Sequence, residues 1–291
     1  DQQTLPYANN MVNLLVTEQP EILPEDEMMR VLAPNGVALI KENREWEKVV
    51  KSRPEGIDKW THFLHGPDNN AVAQDSVVGP PRHVQWISGP PHARSHEFNI
   101  SLGAKVTAGG RIFYIWDEGP IGVVDKRLPS KWKLIARDAF NGKLLWKRDM
   151  PDWGWRQWHD KNIWEEDRRR AQMLRLIPAT LPRRLVADSG RVYLTQGYHA
   201  PVSELDAATG EKIRDFEQTA LTDEILRSGD TLVLNVRSKQ DPPETHVWDD
   251  FPGVGQDTTP KQSGRVMAVD TKTGKTLWQS ERTKMAPLTL S

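Results

Sequence analysis

One recurring phrase constrains the fold of this chain more than any other feature. It reads ARDAFNGKLLW at 136–146, ELDAATGEKIR at 204–214 and AVDTKTGKTLW at 268–278. In each copy an aspartate stands four residues before a glycine, and two copies add a tryptophan eight residues after the aspartate. Such repetition is typical of a repeat architecture. The motif residues are Asp138, Gly142, Trp146, Asp206, Gly210, Asp270, Gly274 and Trp278.

Each copy is predicted to be a β-hairpin. The aspartate can accept hydrogen bonds from the backbone of its own turn, the glycine supplies a positive φ, and an apolar run starts the returning strand. Upstream of the copies, Gly110, Gly190 and Gly229 each open a β-branched or aromatic run. The expected order is two strands, the bend and a further strand, which is the pattern of one blade of a β-propeller. In a propeller the repeated sheets are arranged around an axis, so that their edges are protected.

The repeats therefore predict a mainly β fold, a partial β-propeller of about three blades. The blades are expected at about 101–150, 183–219 and 223–283, with a fourth beginning at Met285. Propellers close with about 4–8 blades. The remaining blades are expected in another segment or another chain.

Residues 1–57 have a different pattern. An apolar run at 11–16 predicts a buried strand, and 24–31 predicts a short helix with acidic residues in its first turn. A turn at 32–36 and a strand at 37–41 would complete an α/β unit. Residues 58–100, rich in proline and histidine, form a bridge segment to the predicted blades at 101–291.

Composition limits the function classes. The chain has 291 residues, a net charge of −1 and no cysteine. Disulfides and thiolate metal sites are thereby excluded, and nothing favours a nucleic acid as partner. No apolar run is long enough for a membrane span. Twelve tryptophans against four tyrosines fit one docking tryptophan per blade, or a sugar-binding surface.

The repeats resemble the pyrroloquinoline quinone (PQQ) repeat, also known as the tryptophan-docking motif. The stretch DKWTHFLHGPDNNAVAQD, from residue 58, is similar to the segment that precedes the first sheet of such propellers. This resemblance implies that Trp146 and Trp278 wedge between neighbouring blades while the aspartates brace turns. The motif occurs in quinoprotein dehydrogenases, where PQQ binds with calcium, and in propellers that bind no cofactor. Quinoprotein alcohol dehydrogenases also carry a vicinal cysteine pair, which this chain lacks.

The N-terminal stretch LPYANNMVNLLVTE, followed by MMRVLAPNGVALIKE, resembles the later part of a class I S-adenosylmethionine-dependent methyltransferase. This resemblance implies a Rossmann-like segment, with Asp1, Leu5 and Pro6 near an S-adenosylmethionine site. The chain departs from the family pattern at Asn13, where many members have aspartate, and at 35–36, where Asn-Gly replaces Gly-Gly. The family's glycine-rich first motif would have to lie upstream of Asp1.

Because it carries both of these segments, the chain resembles planctomycete-type proteins, in which a methyltransferase-like domain is joined to a PQQ-like propeller. That likeness implies a periplasmic, cell-surface or extracellular location.

Several polar clusters invite a metal interpretation. His62, His65 and Asp68 have a suitable spacing, but an extended strand would point residues three apart to opposite faces, so no metal is expected. Two further groups are interpreted as solvated loops, with a convergent site and a calcium site as the respective alternatives. They are His92, His96 and Glu97, and the acidic residues of 238–262.

An insertion at 151–182 is rich in aromatic residues. It carries Trp153, Trp155, Trp158 and Trp164. These rings either cap a blade edge or form an aromatic platform for a carbohydrate or a partner protein.

The leading expectation is a non-catalytic propeller that serves as a binding or scaffold module. Two alternatives stay open. One is a quinoprotein dehydrogenase whose active site lies in blades outside this segment. The other is methyl transfer by the N-terminal domain.

Overall fold

The computed structural model describes residues 4–80, 84–89, 92–93, 101–121, 130–154, 157, 180–238, 262–285 and 290. Within these residues the protein is mainly β, with one α-helix, α1 (Glu25–Val31). Short 3₁₀ helices lie at Pro20–Ile22, Leu181–Arg184 and Glu217–Thr219. No helix in the described ranges is both long and apolar enough to cross a membrane.

Three antiparallel meanders form most of the structure. Meander 1 contains β4 (Leu102–Ala108), β5 (Arg111–Asp117), β6 (Trp132–Asp138) and β7 (Leu144–Asp149). Meander 2 contains β8 (Leu185–Asp188), β9 (Arg191–Thr195), β10 (Val202–Asp206) and β11 (Lys212–Phe216). Meander 3 contains β12 (Thr222–Ser228), β13 (Thr231–Arg237), β14 (Gln262–Asp270) and β15 (Thr276–Gln279).

A further strand, β16 (Thr283–Met285), pairs with β14. Met285 thus belongs to the sheet of meander 3. The expectation that a fourth blade begins at Met285 is wrong at that residue.

The meanders stack face to face, with their first strands together. β4 lies beside β8, and β8 lies beside β12. One apolar core joins meanders 1 and 2, and a second joins meanders 2 and 3. The first core includes Phe113, Ile115, Leu134, Leu194 and Leu205, and the second includes Tyr193, Val202, Leu232, Leu234 and Met267. Stacked meanders whose first strands lie together are consistent with a partial β-propeller.

The repeated aspartate–glycine phrases form the bends between the third and fourth strands. Oδ1 of Asp138 accepts from the backbone N–H groups of Phe140 at 2.8 Å and Asn141 at 3.2 Å. Asp206 and Asp270 accept equivalent bonds in their own bends. The glycines have φ values of 73°, 75° and 73°. The bend therefore needs an acceptor at its first residue and a left-handed residue at its fifth.

The N-terminal residues form a separate three-stranded sheet of β1 (Val12–Thr17), β2 (Leu32–Glu42) and β3 (Glu45–Val50). β1 and β2 are parallel and joined through α1, whereas β3 pairs antiparallel with β2. The turn expected at 32–36 lies inside β2. Because Val12 pairs with Leu32 and Leu14 with Val37, residues 33–36 form an irregular bulge, with Asn35 at a φ of 67°.

The bend glycine of meander 2 allows a matched stability test. A Cβ at Gly210 would lie 2.6 Å from Cδ2 of Trp146, whereas a Cβ at Gly190 would meet nothing within 4 Å, although both residues have nearly the same positive φ. Gly190→Ala is expected to cost roughly 1–2 kcal/mol of unfolding free energy from backbone strain alone. Gly210→Ala is expected to cost about 1–3 kcal/mol more because the methyl group overlaps the indole.

Urea unfolding monitored by tryptophan fluorescence measures both values. Equal losses in the two variants would show that the indole does not rest on Gly210.

Candidate functional site

An indole of one meander docks on the bend of the next. The Trp146 ring, at the end of meander 1, lies against Gly210, and its Nε1 donates to the carbonyl of Ala207 at 3.2 Å. In meander 2 the corresponding residue is Arg214, which donates from Nη1 to the carbonyl of Lys272 at 2.8 Å. A guanidinium thus replaces the indole at the third bend.

The first bend is covered by Trp86, a residue that the sequence analysis did not single out. Its Nε1 donates to the carbonyl of Ala139 at 3.3 Å, and a Cβ at Gly142 would overlap its ring. Trp86 belongs to the bridge segment. The bridge therefore provides the docking residue that the last strand of a preceding blade would provide.

The bridge also repeats the first part of the bend, at Asp75. Oδ1 of Asp75 accepts from the N–H groups of Val77 at 2.8 Å and Val78 at 2.6 Å, as Asp138 does in the first bend. The N–H of Ser76 donates to the carbonyl of Gly56 at 3.0 Å. The equivalent bond in meander 1 runs from Ala139 to Gly110 at 2.9 Å.

The sequence signal for this copy was available, because Asp75 stands four residues before a glycine, Gly79. The copy differs in three ways. Gly79 does not have the positive φ of the other bend glycines. Its tryptophan, Trp86, follows the aspartate by eleven residues instead of eight, and no strand precedes its bend.

Two other tryptophans of the sequence analysis lie in contrasting environments. Trp278, on β15, is 51% exposed and offers its ring at the position from which Trp146 docks. Trp153 is only 4% exposed: its Nε1 donates to the carbonyl of Thr195 at 2.9 Å, and its ring packs on Trp132. Trp153 is thus a core residue and not part of an exposed platform. Trp155, Trp158 and Trp164 lie outside the described residues.

The bridge crosses the first strands of all three meanders. The carbonyl of Trp60 accepts from the N–H of Thr107 at 2.7 Å, and the carbonyl of Thr61 accepts from the N–H of Ala187 at 3.0 Å. Nε2 of the next residue, His62, accepts from the N–H of Arg227 at 3.0 Å.

The three donors occupy the same position in β4, β8 and β12, three residues before Gly110, Gly190 and Asp230. Three consecutive bridge residues therefore satisfy three equivalent edge groups where the first strands converge.

His62 is held as a neutral acceptor in this contact. It is 2% exposed, and burial is the main cause that lowers its pKa to about 4. His65 instead pairs with Asp58 at 2.8 Å. The expected extended strand at 62–65 is wrong: the two histidines face each other across a tight turn, with His65 at a φ of 72°.

None of the described residues forms a group of three histidine or carboxylate side chains able to share a metal ion. His62 and His65 have different partners, since Nε2 of His62 accepts from Arg227 whereas Nε2 of His65 contacts Asp58. His92 is exposed, whereas His96, Glu97 and residues 239–261 lie outside the described residues.

Buried ion pairs lie beside this crossing. Arg183 pairs with Glu224 at 2.9 Å, and both side chains are almost fully buried. Asp223 pairs with both Arg184 and Arg237, the latter at 2.6 Å. The pairs are buried, so breaking one would leave a charge in a low-dielectric environment.

An apolar cavity of about 600 Å³ opens along β4. Its walls are Trp60, Phe63, Pro182 and residues 102–107. The edge of β4 that faces away from β5 is the edge on which Thr107 meets Trp60. The cavity therefore combines a mostly apolar lining with a strand edge, an arrangement suited to binding. Lys105 is the one titratable side chain among the described residues of this lining.

The residues assigned by resemblance to a methyltransferase lie near α1. The N–H of Leu5 donates to Glu27 at 2.7 Å, and Arg30 donates to the carbonyl of Leu5 at 3.1 Å. Hydrogen bonds from Arg30 and from Leu5 lower the pKa of Glu27 to about 2. Pro6 is exposed, and Asp1 lies outside the described residues.

Asn13 joins the N-terminal sheet to the first bend. Its Nδ2 donates to Oδ2 of Asp138 at 2.8 Å, and its Oδ1 accepts from Asn141 at 3.0 Å. The residue that departs from the methyltransferase pattern therefore makes an interface contact.

Comparison with known proteins finds no matching family model and no matching curated protein. BamB from Moraxella catarrhalis is a similar solved structure, with 13% identity, a TM-score of 0.33 and coverage of 68% of this chain and 39% of BamB. The quinohemoprotein alcohol dehydrogenase ADHIIG from Pseudomonas putida HK5 has 16% identity, a TM-score of 0.37 and coverage of 76% and 26%. The computationally designed protein Ika8 has 12% identity, a TM-score of 0.34 and coverage of 64% and 38%.

The chain thus spans about a quarter to two fifths of the length of these structures. Similarity at this level does not assign the chain to a family.

The contact of His62 predicts a pH dependence of stability. Its folded-state pKa of about 4 lies below the ordinary value of 6.5, so between these values the unfolded chain binds a proton that the folded chain excludes. The stabilisation is fully present above pH 6.5 and is lost as the pH falls towards 4. Its maximum size is about 3 kcal/mol.

His62→Gln is the matched variant, because the amide oxygen of glutamine can accept the Arg227 N–H but does not titrate. Unfolding free energies at pH 7, 6, 5 and 4.5 should fall more steeply in the natural protein than in the variant. Parallel curves would rule out His62 as the titrating group.

Proposed function

We propose that this protein is a non-catalytic, PQQ-like β-propeller that serves as a binding or scaffold module of the cell envelope or the extracellular space. The observation that carries the proposal is the burial and ion pairing of the carboxylates on β12. Asp223 and Glu224 are buried, and each is paired with arginine. A general base or a calcium ligand needs a carboxylate that can reach its substrate or ion, and these two cannot do so.

The proposed organisation is an N-terminal methyltransferase-like part at 1–57, the bridge at 58–100 and propeller blades at 101–291. The partial bend at Asp75 and the docking of Trp86 support a bridge that is itself built partly as a blade. The motif residues act as structural joints between blades: the aspartates and glycines form the bends, and Trp146 docks on the following one.

The proposed partners follow from what the surface offers. Trp278 presents an undocked indole, so a further blade with an aspartate–glycine bend, in another segment or another chain, fits that position. The apolar cavity beside β4 suits a protein segment or the apolar face of a carbohydrate.

Quinoprotein dehydrogenase activity, with PQQ and calcium, is the second candidate. It is favoured by the bends themselves, whose geometry follows the repeat that such enzymes share with cofactor-free propellers. In this case the catalytic aspartate and the calcium ligands belong to blades outside this segment.

Methyl transfer is the third candidate. The parallel β1–α1–β2 unit favours it, because this is the local order expected of the later part of such a domain. Asp1, Leu5 and Pro6 would then lie near S-adenosylmethionine.

The scaffold proposal predicts no redox activity. The full-length protein, incubated with PQQ and Ca²⁺, should reduce an electron-acceptor dye with primary alcohols no faster than a sample treated with EDTA. A quinoprotein alcohol dehydrogenase prepared in the same way serves as the positive control. Calcium-dependent dye reduction by this protein would overturn the scaffold proposal in favour of the second candidate.

Methyl-donor binding is tested separately. Isothermal titration of the full-length protein with S-adenosylmethionine is expected to give no saturable heat. Saturable binding that weakens in a Leu5→Asp variant would support the third candidate instead.

A further inference from the structure

A second cavity lies at one end of meander 3, away from the apolar cavity beside β4. Its volume is about 350 Å³, and its lining includes three arginines on different segments: Arg237 on β13, Arg265 on β14 and Arg282 between β15 and β16. Gln218, from the 3₁₀ helix before β12, adds a side-chain amide. The lining contains no acidic residue from the part of the chain that the structure describes.

Within the described ranges, the arginines of this cavity have few carboxylate partners. Arg237 shares the carboxylate of Asp223 with Arg184. Neither Arg265 nor Arg282 forms an ion pair with any residue in the described ranges. Like charges that line one cavity repel each other, and an anion between them would relieve that repulsion.

Arg237 is the buried member of the three arginines. Its side chain is 5% exposed, yet its buried Nη2 has no hydrogen-bond partner among the described residues. A buried, charged donor without an acceptor is costly, and most such groups in folded proteins are satisfied. Its Nε faces Asp223, and its guanidinium lies 5.1 Å from the ring centre of Tyr198, so the group is held in one orientation.

We propose that this cavity binds a tetrahedral oxyanion, the phosphate or sulfate group of a small ligand. Guanidinium groups donate in a planar fork that suits phosphate and sulfate oxygens, and three arginines can contact several oxygens at once. The cavity volume accommodates the anion together with a small attached group. The proposal does not depend on the scaffold function, because it uses only residues of meander 3 and of the segments beside it.

Isothermal titration of the full-length protein with inorganic phosphate, at constant ionic strength and pH 7.5, tests the proposal. Saturable binding is expected, with a dissociation constant of roughly 0.1–1 mM. Arg265→Gln and Arg282→Gln should each weaken binding at least about tenfold, because each removes charged donors to the oxyanion. Arg282→Lys keeps the charge but not the fork, and should give an intermediate affinity.

Lys275→Gln is the matched control, since Lys275 is an exposed cation of the same meander outside the cavity. It should leave the affinity unchanged within about twofold. Circular dichroism and the unfolding midpoint of each variant establish that the fold is retained.

Three results would overturn the proposal. The first is the absence of saturable heat up to about 10 mM phosphate. The second is equal weakening by Lys275→Gln and Arg282→Gln, which indicates diffuse surface charge. The third is tighter binding of succinate than of phosphate, which assigns the cavity to carboxylates instead.

Discussion

The docking of a flat side chain on a left-handed glycine is the contact on which the arrangement of the meanders depends. A bend that begins with aspartate and ends with glycine offers a bare Cα and a free carbonyl, and an indole covers both. Because the docking residue leaves from the last strand of one meander, the contact sets the position of each sheet relative to its neighbour. The docking residue need not be tryptophan, since the guanidinium of Arg214 contacts the third bend and donates a hydrogen bond to the carbonyl of Lys272.

The first strand of each meander has one edge without a strand partner among the described residues. An open edge exposes unpaired N–H and C=O groups that invite pairing with other chains. Trp60, Thr61 and His62 of the bridge cover part of these edges, because they accept hydrogen bonds from backbone N–H groups at equivalent positions of the three strands. The same segment supplies Trp86 and the Asp75 bend, so residues that the sequence separates from the blades take part in the repeat.

The distribution of charge separates two regions with different functional potential. Near the crossing, arginine and carboxylate groups are matched in buried pairs that order the structure. At the cavity of meander 3, the arginines outnumber their carboxylate partners among the described residues. Removing one partner of a matched buried pair leaves an uncompensated charge in the interior, whereas like charges around a cavity are relieved by a bound anion.

The local phrases by themselves determined the bends, their glycines and the strands on either side, because turn chemistry depends on residues only a few positions apart. They also contained the Asp75 bend, which went unrecognised since its tryptophan is displaced by three residues and no strand precedes it. Only the tertiary structure decided that Trp153 is buried, that Trp86 and Arg214 dock, that His62 caps β12 and that three arginines meet at one cavity. Those outcomes depend on which residues distant in sequence become neighbours when sheets stack, and no local pattern encodes that choice.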